Sequence, residues 1–200
     1  MSRVRTRPTR DETCDKLFEA AARVFEEQGI GSASIEAIAA AAGFSRGAFY
    51  SNFKSKDELI IAMLEDHVER SIERNLDLLA QHEDIDDFLN ALKNMDRSRQ
   101  DPLGRAPLLH MEMILFVARA EKRRPELAKR LRARRKLVTD IVETSLRDSG
   151  RPGAVNPAWT AAIVLALEDG FRLHRLVDPA STPADSFFRA VTGLLKLSRP

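Results

Sequence analysis

Residues 34–59, SIEAIAAAAGFSRGAFYSNFKSKDEL, hold the chain's densest set of groups suited to contact a polyanion. Ser45, Arg46, Gly47, Tyr50 and Ser51 fall on a short helix that would turn a small polar face outward, of a size that fits a major groove. Gly47 carries no side chain, so the start of that helix can approach a base edge or phosphate closely. Lys54 and Lys56 flank the beginning of the next helix, where unpaired backbone N–H groups attract phosphate. Nothing in the chain assembles comparable covalent chemistry. His67, His82, His110 and His174 are scattered, and His110-Met111-Glu112 imitates a deaminase H-x-E with no P-C-x-x-C to follow. No H-E-x-x-H, G-x-S-x-G or Walker loop is present. The expectation is a binding protein that is not an enzyme and has no metal or cofactor.

Elements must position that segment, and the composition makes them helices. The 200 residues are 44% hydrophobic and 31% charged, enough for a core and a soluble surface. Lys+Arg at 32 against Asp+Glu at 30 leaves a net charge of only +2, so distribution matters more than the sum. Arg3, Arg5, Arg7 and Arg10 open the chain without an acid, and Arg3, Arg5 and Arg7 could follow a nucleic-acid backbone or minor groove as an arm. Residues 119–136 are strongly basic and residues 65–96 strongly acidic. Because the apolar residues of 119–136 keep helical spacing, its bases are expected on a solvated face, pairing with the acids of 65–96. The single Cys14 excludes an internal disulfide and reads as a small buried residue of the first helix. No signal peptide or stretch of membrane-spanning length is evident, and the protein is expected in the cytoplasm.

Along the chain, Thr9-Arg10-Asp11-Glu12 reads as a capping box opening a helix that buries Leu17, Phe18, Ala21, Val24 and Phe25. A short helix after Ser34 places Ile35, Ile38, Ala39 and Ala42 on one face. Gly43 breaks it, Ser45 caps the next, and Ser55-Lys56-Asp57-Glu58 caps a long fourth helix with Leu59, Met63 and Val68 inward. Further helices are expected over 86–99, 108–120, from about Pro125 to Leu146, 158–177 and 184–197, with 101–107 as a loop and 148–157 as the clearest linker. In the helix from Pro125, Leu127, Leu131, Val138, Ile141, Val142 and Leu146 share one side.

In this segment the sequence resembles the TetR/AcrR family of transcriptional regulators. Ile38-Ala39, Ala42-Gly43-Phe44-Ser45, Gly47-Ala48-Phe49-Tyr50, Phe53 and Ser55-Lys56-Asp57-Glu58-Leu59 carry the resemblance over about residues 10–60. Later, Glu168-Asp169-Gly170-Phe171 and Leu176-Val177-Asp178-Pro179 are similar to the penultimate helix of many members. Asn52 departs from the pattern, standing where an aromatic residue or His is common. The resemblance implies an all-α protein of about nine helices: a three-helix helix-turn-helix head over 1–54 and a ligand-binding, dimerising body over 55–200. It implies a homodimer on a palindromic double-stranded operator, acting as a repressor released by an unknown small apolar or amphipathic effector. Arg46, Gly47 and Tyr50 match recognition-helix positions, Ser45, Lys54 and Lys56 match phosphate contacts, and Ser34 joins them at the start of the preceding helix.

Within the body, Met95, His110, Met113, Phe116, Phe171 and His174 offer apolar lining with isolated polar groups, as ligand pockets do. Trp159 could line that pocket, sit at an interface, or anchor its helix. The last two helices carry more apolar surface than one body hides, and Ile163, Leu167, Val191, Leu194 and Leu195 are expected at a two-fold interface. Two rivals stand beside this reading. One is a non-specific nucleic-acid coat built on the basic run; the other is an enzyme or small-molecule carrier with a vestigial head.

Overall fold

The computed structural model describes residues 9–82, 84–95, 101–122, 124–148, 150 and 153–197, with the side chains of 126 and 195–197 outside that description. Its described elements are ten helices: α1 (Arg10–Gln28), α2 (Ile35–Ala41), α3 (Arg46–Tyr50), α4 (Lys56–Gln81), α5 (Ile85–Asn94), α6 (Pro102–Arg105), α7 (Pro107–Arg119), α8 (Arg124–Asp148), α9 (Pro157–Val177) and α10 (Ser186–Leu197). The all-α class is as expected, with one helix more than the nine anticipated. That extra helix is α6, inside the stretch expected as loop. Asp101 accepts a hydrogen bond from the Gly104 N–H at 3.0 Å while Pro102 takes the first turn, so an Asp-Pro pair starts a helix there. α5 also ends five residues before the expected Arg99, and 96–100 lie outside the described residues. Among the described residues no helix is long and apolar enough to cross a membrane.

Local chemistry sets the head. Thr9 and Glu12 close the capping box reciprocally, at 2.9 and 3.2 Å. Ser34, Ser45 and Ser55 each accept from the backbone N–H three residues on. Glu58 reaches back to the Lys54 N–H rather than to that of Ser55, at 2.7 Å, so the second box closes one residue early. Gly43 holds φ +74°, the left-handed turn that redirects α2 into α3.

Two apolar clusters form the interior. The larger joins α1, α2 and α3 to the first half of α4, and continues through Leu103, Ala106, Leu109, Met113, Val117 and Leu127 into α6, α7 and α8. All five residues expected inward on α1 are buried in it. The smaller cluster is built on buried Phe88, Leu89 and Val191, with Leu78, Leu79, Ile141, Val164 and Phe187 half-buried around them. The basic run does meet the acidic one: Arg130 of α8 pairs with Glu65 at 3.4 Å and with Glu69, both on α4. Leu131, expected inward, is exposed.

Candidate functional site

Four aromatic rings connect the core of α1 to the exposed face of α3. Phe18 lies 5.9 Å from Phe53, Phe53 lies 5.8 Å from Phe49, and Phe49 meets Tyr50 edge-on at 5.7 Å. Phe49 is fully buried, and it fixes the rotation of a helix only five residues long. Ser45, Arg46, Gly47, Tyr50 and Ser51 are exposed as a result. The Arg46 guanidinium sits 5.4 Å over the Tyr50 ring, donates to its hydroxyl at 3.4 Å, and pairs with Glu36 at 2.8 Å. Arg46 and Tyr50 are therefore already ordered relative to each other. Ser34 and Lys54 are exposed on the adjoining turns.

Lys56 is engaged differently. Its ammonium donates to the carbonyls of Ile30, Gly31 and Ala33 at 2.7, 3.1 and 2.8 Å. An ammonium has three donors, and all three are occupied, so in this arrangement Lys56 ties the α1–α2 turn to the start of α4 rather than facing outward. Asn52 is also turned inward. Its amide donates to the Ala48 carbonyl at 2.9 Å, and its oxygen faces the Cys14 thiol at 3.8 Å. Cys14 is half-buried, and burial pushes its thiol pKa up, as suits a packing residue. Arg23 adds a clamp that the sequence did not announce, donating to the Ala41 carbonyl at the end of α2. Arg3, Arg5 and Arg7 lie outside the described residues.

In the body a cavity of about 210 Å³ opens between α4, α5, α8, α9 and α10, with α6 at one end. Ile85, Phe88, Leu89, Val138, Ile141, Val142, Val164 and Phe187 form its apolar wall, and His67, Arg74, Asp101, Arg134, Glu168 and Arg172 form its polar end. Glu168 lies between two guanidiniums, 2.5 Å from Arg134 and 3.0 Å from Arg172. Asp101, 1% exposed, accepts from His67 at 2.8 Å and approaches Arg74 at 3.4 Å while capping α6. Burial alone would raise its pKa, but the hydrogen bonds and charges of His67, the Gly104 N–H and Arg74 hold it below the usual carboxylate value.

None of the six residues expected to line a pocket lines this cavity. Met113 is fully buried and Phe116 half-buried in the larger core, while His174 is exposed on α9. Met95 and Phe171 line a more open neighbouring cleft. His110 is buried behind the polar end, its ring 4.4 Å from that of His67, with Nδ1 accepting from Arg172 at 2.8 Å. Burial, helped by the nearby positive groups, pushes its pKa down to about 2. The residues lining the polar end carry one readable signal: Glu168 and Arg172 stand at i, i+4 spacing just after the apolar first half of α9.

Val191, expected at an interface, belongs instead to the smaller core, where Phe88 and Leu89 cover it. Ile163, Leu167 and Leu194 are half-buried, and the side chain of Leu195 lies outside the described residues. Trp159 is 69% exposed and does not line the cavity. It opens a row on α9, continued by Ile163, Ala166, Gly170, Leu173 and Val177, whose spacing alternates between four and three residues. Leu173 and Val177 at the far end are exposed as well.

The family of bacterial regulatory proteins described as tetR matches residues 17–63. The tetracyclin repressor-like C-terminal domain matches residues 95–197. The HTH-type transcriptional regulator UidR of Escherichia coli (strain K12) is 25% identical over 162 residues, covering 79% of each chain. The transcriptional regulator FadR from Bacillus subtilis, solved in complex with stearoyl-CoA, is 16% identical and superposes with a TM-score of 0.66, covering 90% of this chain and 96% of its own. A regulator from Saccharomonospora viridis, solved in complex with choline, is 16% identical with a TM-score of 0.68, covering 93% and 96%.

Proposed function

The chain belongs to the TetR family of helix-turn-helix transcriptional regulators, and from that premise we propose that it is a homodimeric repressor released from its operator by a small effector. The relatives are regulators, not enzymes. In this reading the protein works in the cytoplasm on double-stranded DNA. α3 enters the major groove with Arg46, Gly47 and Tyr50 at base edges, and Ser34, Ser45 and Lys54 hold phosphates. Lys56 supports them indirectly by fixing the α1–α2 turn.

One observation carries the release mechanism: α6 belongs to both the cavity and the head. Asp101, Leu103 and Gly104 line the cavity, Leu103 and Ala106 pack in the core shared with α1, and Arg105 pairs with Glu19 of α1. An effector that moves Asp101 therefore moves α6 against α1. The head spacing shifts, and the ligand lowers operator affinity by as much as it prefers the shifted state.

The α9 row supplies the dimer seam. Alternating four- and three-residue steps are the pattern of helices packed side by side, and Ala166 and Gly170 at its centre permit a close crossing. The seam brings two copies of one patch together, so a single substitution acts twice. Leu173→Glu, remote from α3, should yield a monomer on sedimentation and abolish operator binding. Footprinting of the wild type should protect an inverted repeat with half-sites ~34–36 Å apart or somewhat more. A dimeric, operator-competent Leu173→Glu variant would remove the seam from α9, and protection of a single half-site by a monomer would overturn the homodimer reading.

A further inference from the structure

We propose that the body cavity selects a compact amphipathic anion, a carboxylate or similar group on a small apolar body, and discriminates against cations of the same shape. The inference rests on the effector-binding reading above and adds the charge of the effector. Ligands of either sign occur in this fold, since the two neighbours hold stearoyl-CoA and choline. The discrimination must therefore come from this chain's own residues.

At the polar end three guanidiniums, Arg74, Arg134 and Arg172, face two carboxylates, Asp101 and Glu168. The balance is positive with His67 neutral and more so with it protonated. His110, kept neutral, accepts from Arg172 and neither adds to nor relieves that excess. Asp169 does not line the cavity; it acts on Arg134 and Arg172 from outside its wall, and burial together with the adjacent Glu168 pushes its carboxyl pKa up, so the positive balance is that of the groups lining the cavity. Excess positive charge away from water lacks part of its solvation, and an incoming anion supplies the missing counter-charge. Arg134 and Arg172 are both less than a fifth exposed, and both already converge on one carboxylate, Glu168. Two guanidiniums aimed at one carboxylate define a place where a second can share them, with the forked geometry that arginine offers. A cation there would add a fourth positive charge beside them. The rest of the wall is uncharged and mostly apolar, with Ser71, Asn75 and Ser145 its polar members, and 210 Å³ exceeds the about 150 Å³ cavity that accepts one benzene. One ring or a medium alkyl chain fits.

Calorimetric titration of the full chain with octanoate, octan-1-ol and octylammonium tests this directly. Octanoate should bind about ten-fold or more tightly than the alcohol, with the ammonium weakest. Arg172→Gln should bring the octanoate-to-octanol ratio toward one. Glu168→Gln should act in the opposite direction, raising octanoate affinity by freeing both guanidiniums, and this keeps the test decisive if Arg172→Gln fails to fold. Equal or tighter binding of the alcohol or ammonium, no octanoate binding at millimolar concentration, or weaker octanoate binding by Glu168→Gln overturns the proposal. Operator release is measured separately. Octanoate binding that leaves DNA affinity unchanged retains the anion site and sinks the release reading, whereas release by the ammonium alone does the reverse.

Discussion

The head and the body are built from the same kind of helix yet packed to different standards. In the larger core Leu17, Phe25, Ile38, Phe49, Leu59 and Ile60 have essentially no exposure, and aromatic rings run from α1 out to the face of α3. The smaller core has Phe88, Leu89 and Val191 buried, and a cavity with six charged or titratable side chains at one end opens beside it. Close packing makes a body that moves as one piece, because any shift costs contacts on every side. A recognition helix of five residues needs that, since alone it would not hold its shape. A cavity wall needs the opposite, room to re-pack around a guest. On the proposed function, rigidity thus lies under the surface that would meet DNA, and slack lies where an effector would bind.

The widest test of this contrast is a pair of matched truncations. Phe49→Ala should cost ~3–5 kcal/mol, because the ring fills a site with no space to collapse into. Phe88→Ala should cost at least about 1 kcal/mol less, because its surroundings already border a cavity and can relax into it. Chemical denaturation followed by circular dichroism reads both. Because the larger core continues from α1 through α7, the Phe49 variant should still unfold in a single transition. A separate early transition of the head, or an equal cost at Phe88, would erase the distinction.

Proton uptake provides a second, smaller test. His110 is held neutral in the folded protein, with a pKa of about 2, whereas in the unfolded chain it titrates near 6.5. The unfolded state thus binds the extra proton, and stability falls as pH drops below about 6.5, by up to ~1.4 kcal/mol per pH unit from this group. Asp101 has the usual carboxylate sign: its lowered pKa stabilises above about 3.9 and is lost only as pH falls through the folded value. Burial pushes the Asp66 and Asp169 carboxyls above the ordinary carboxylate value, so between pH 6.5 and 4 it is the difference between wild type and His110→Asn that reports on His110. Stability measured down that window should fall less in His110→Asn than in the wild type, and an unchanged slope would show that His110 is hydrated or protonated in the folded protein.

The same contrast explains what could be read from the sequence. Head features are local: a Ser three residues before the N–H it caps, a glycine at a left-handed turn, five apolar residues at helical spacing that are all buried. Even so, the motif and the adjacent helix start point Lys56 to a phosphate, whereas its three carbonyl partners come from a turn some two dozen residues away. The cavity depends on such distant contacts throughout. Met113 and Phe116 suit a pocket by type, but α1 and α4 pack over them. Arg134, Arg172 and Glu168 suit a solvated surface by type, but α8 against α9 turns them to one another. Residue type alone does not say which face of a helix its neighbours leave open.

Two glycines four residues apart divide the head's requirements, and they give the effect on stability that is smallest and most specific. Gly43 has φ +74°, where a side chain is strained however much space surrounds it, so Gly43→Ala should cost roughly 1–2 kcal/mol of stability. Gly47 has no such constraint. A Cβ built there would meet only the Ser45 hydroxyl oxygen, at 3.7 Å, an ordinary contact. In a helix alanine is better than glycine by up to about 1 kcal/mol, so Gly47→Ala should leave folding intact or slightly improve it. Fold stability alone therefore gives position 47 no reason to be glycine, while its place on the exposed face of α3 gives one: an added methyl would stand between the helix and the groove. Gly47→Ala should weaken operator binding by about ten-fold or more, read by fluorescence anisotropy on a labelled inverted repeat, with thermal stability unchanged or higher. The loss should be smaller on random DNA, where α3 is not seated against base edges. If the variant binds its operator as the wild type does, α3 does not approach DNA through Gly47, and the recognition surface shifts toward Arg46 and Tyr50 alone.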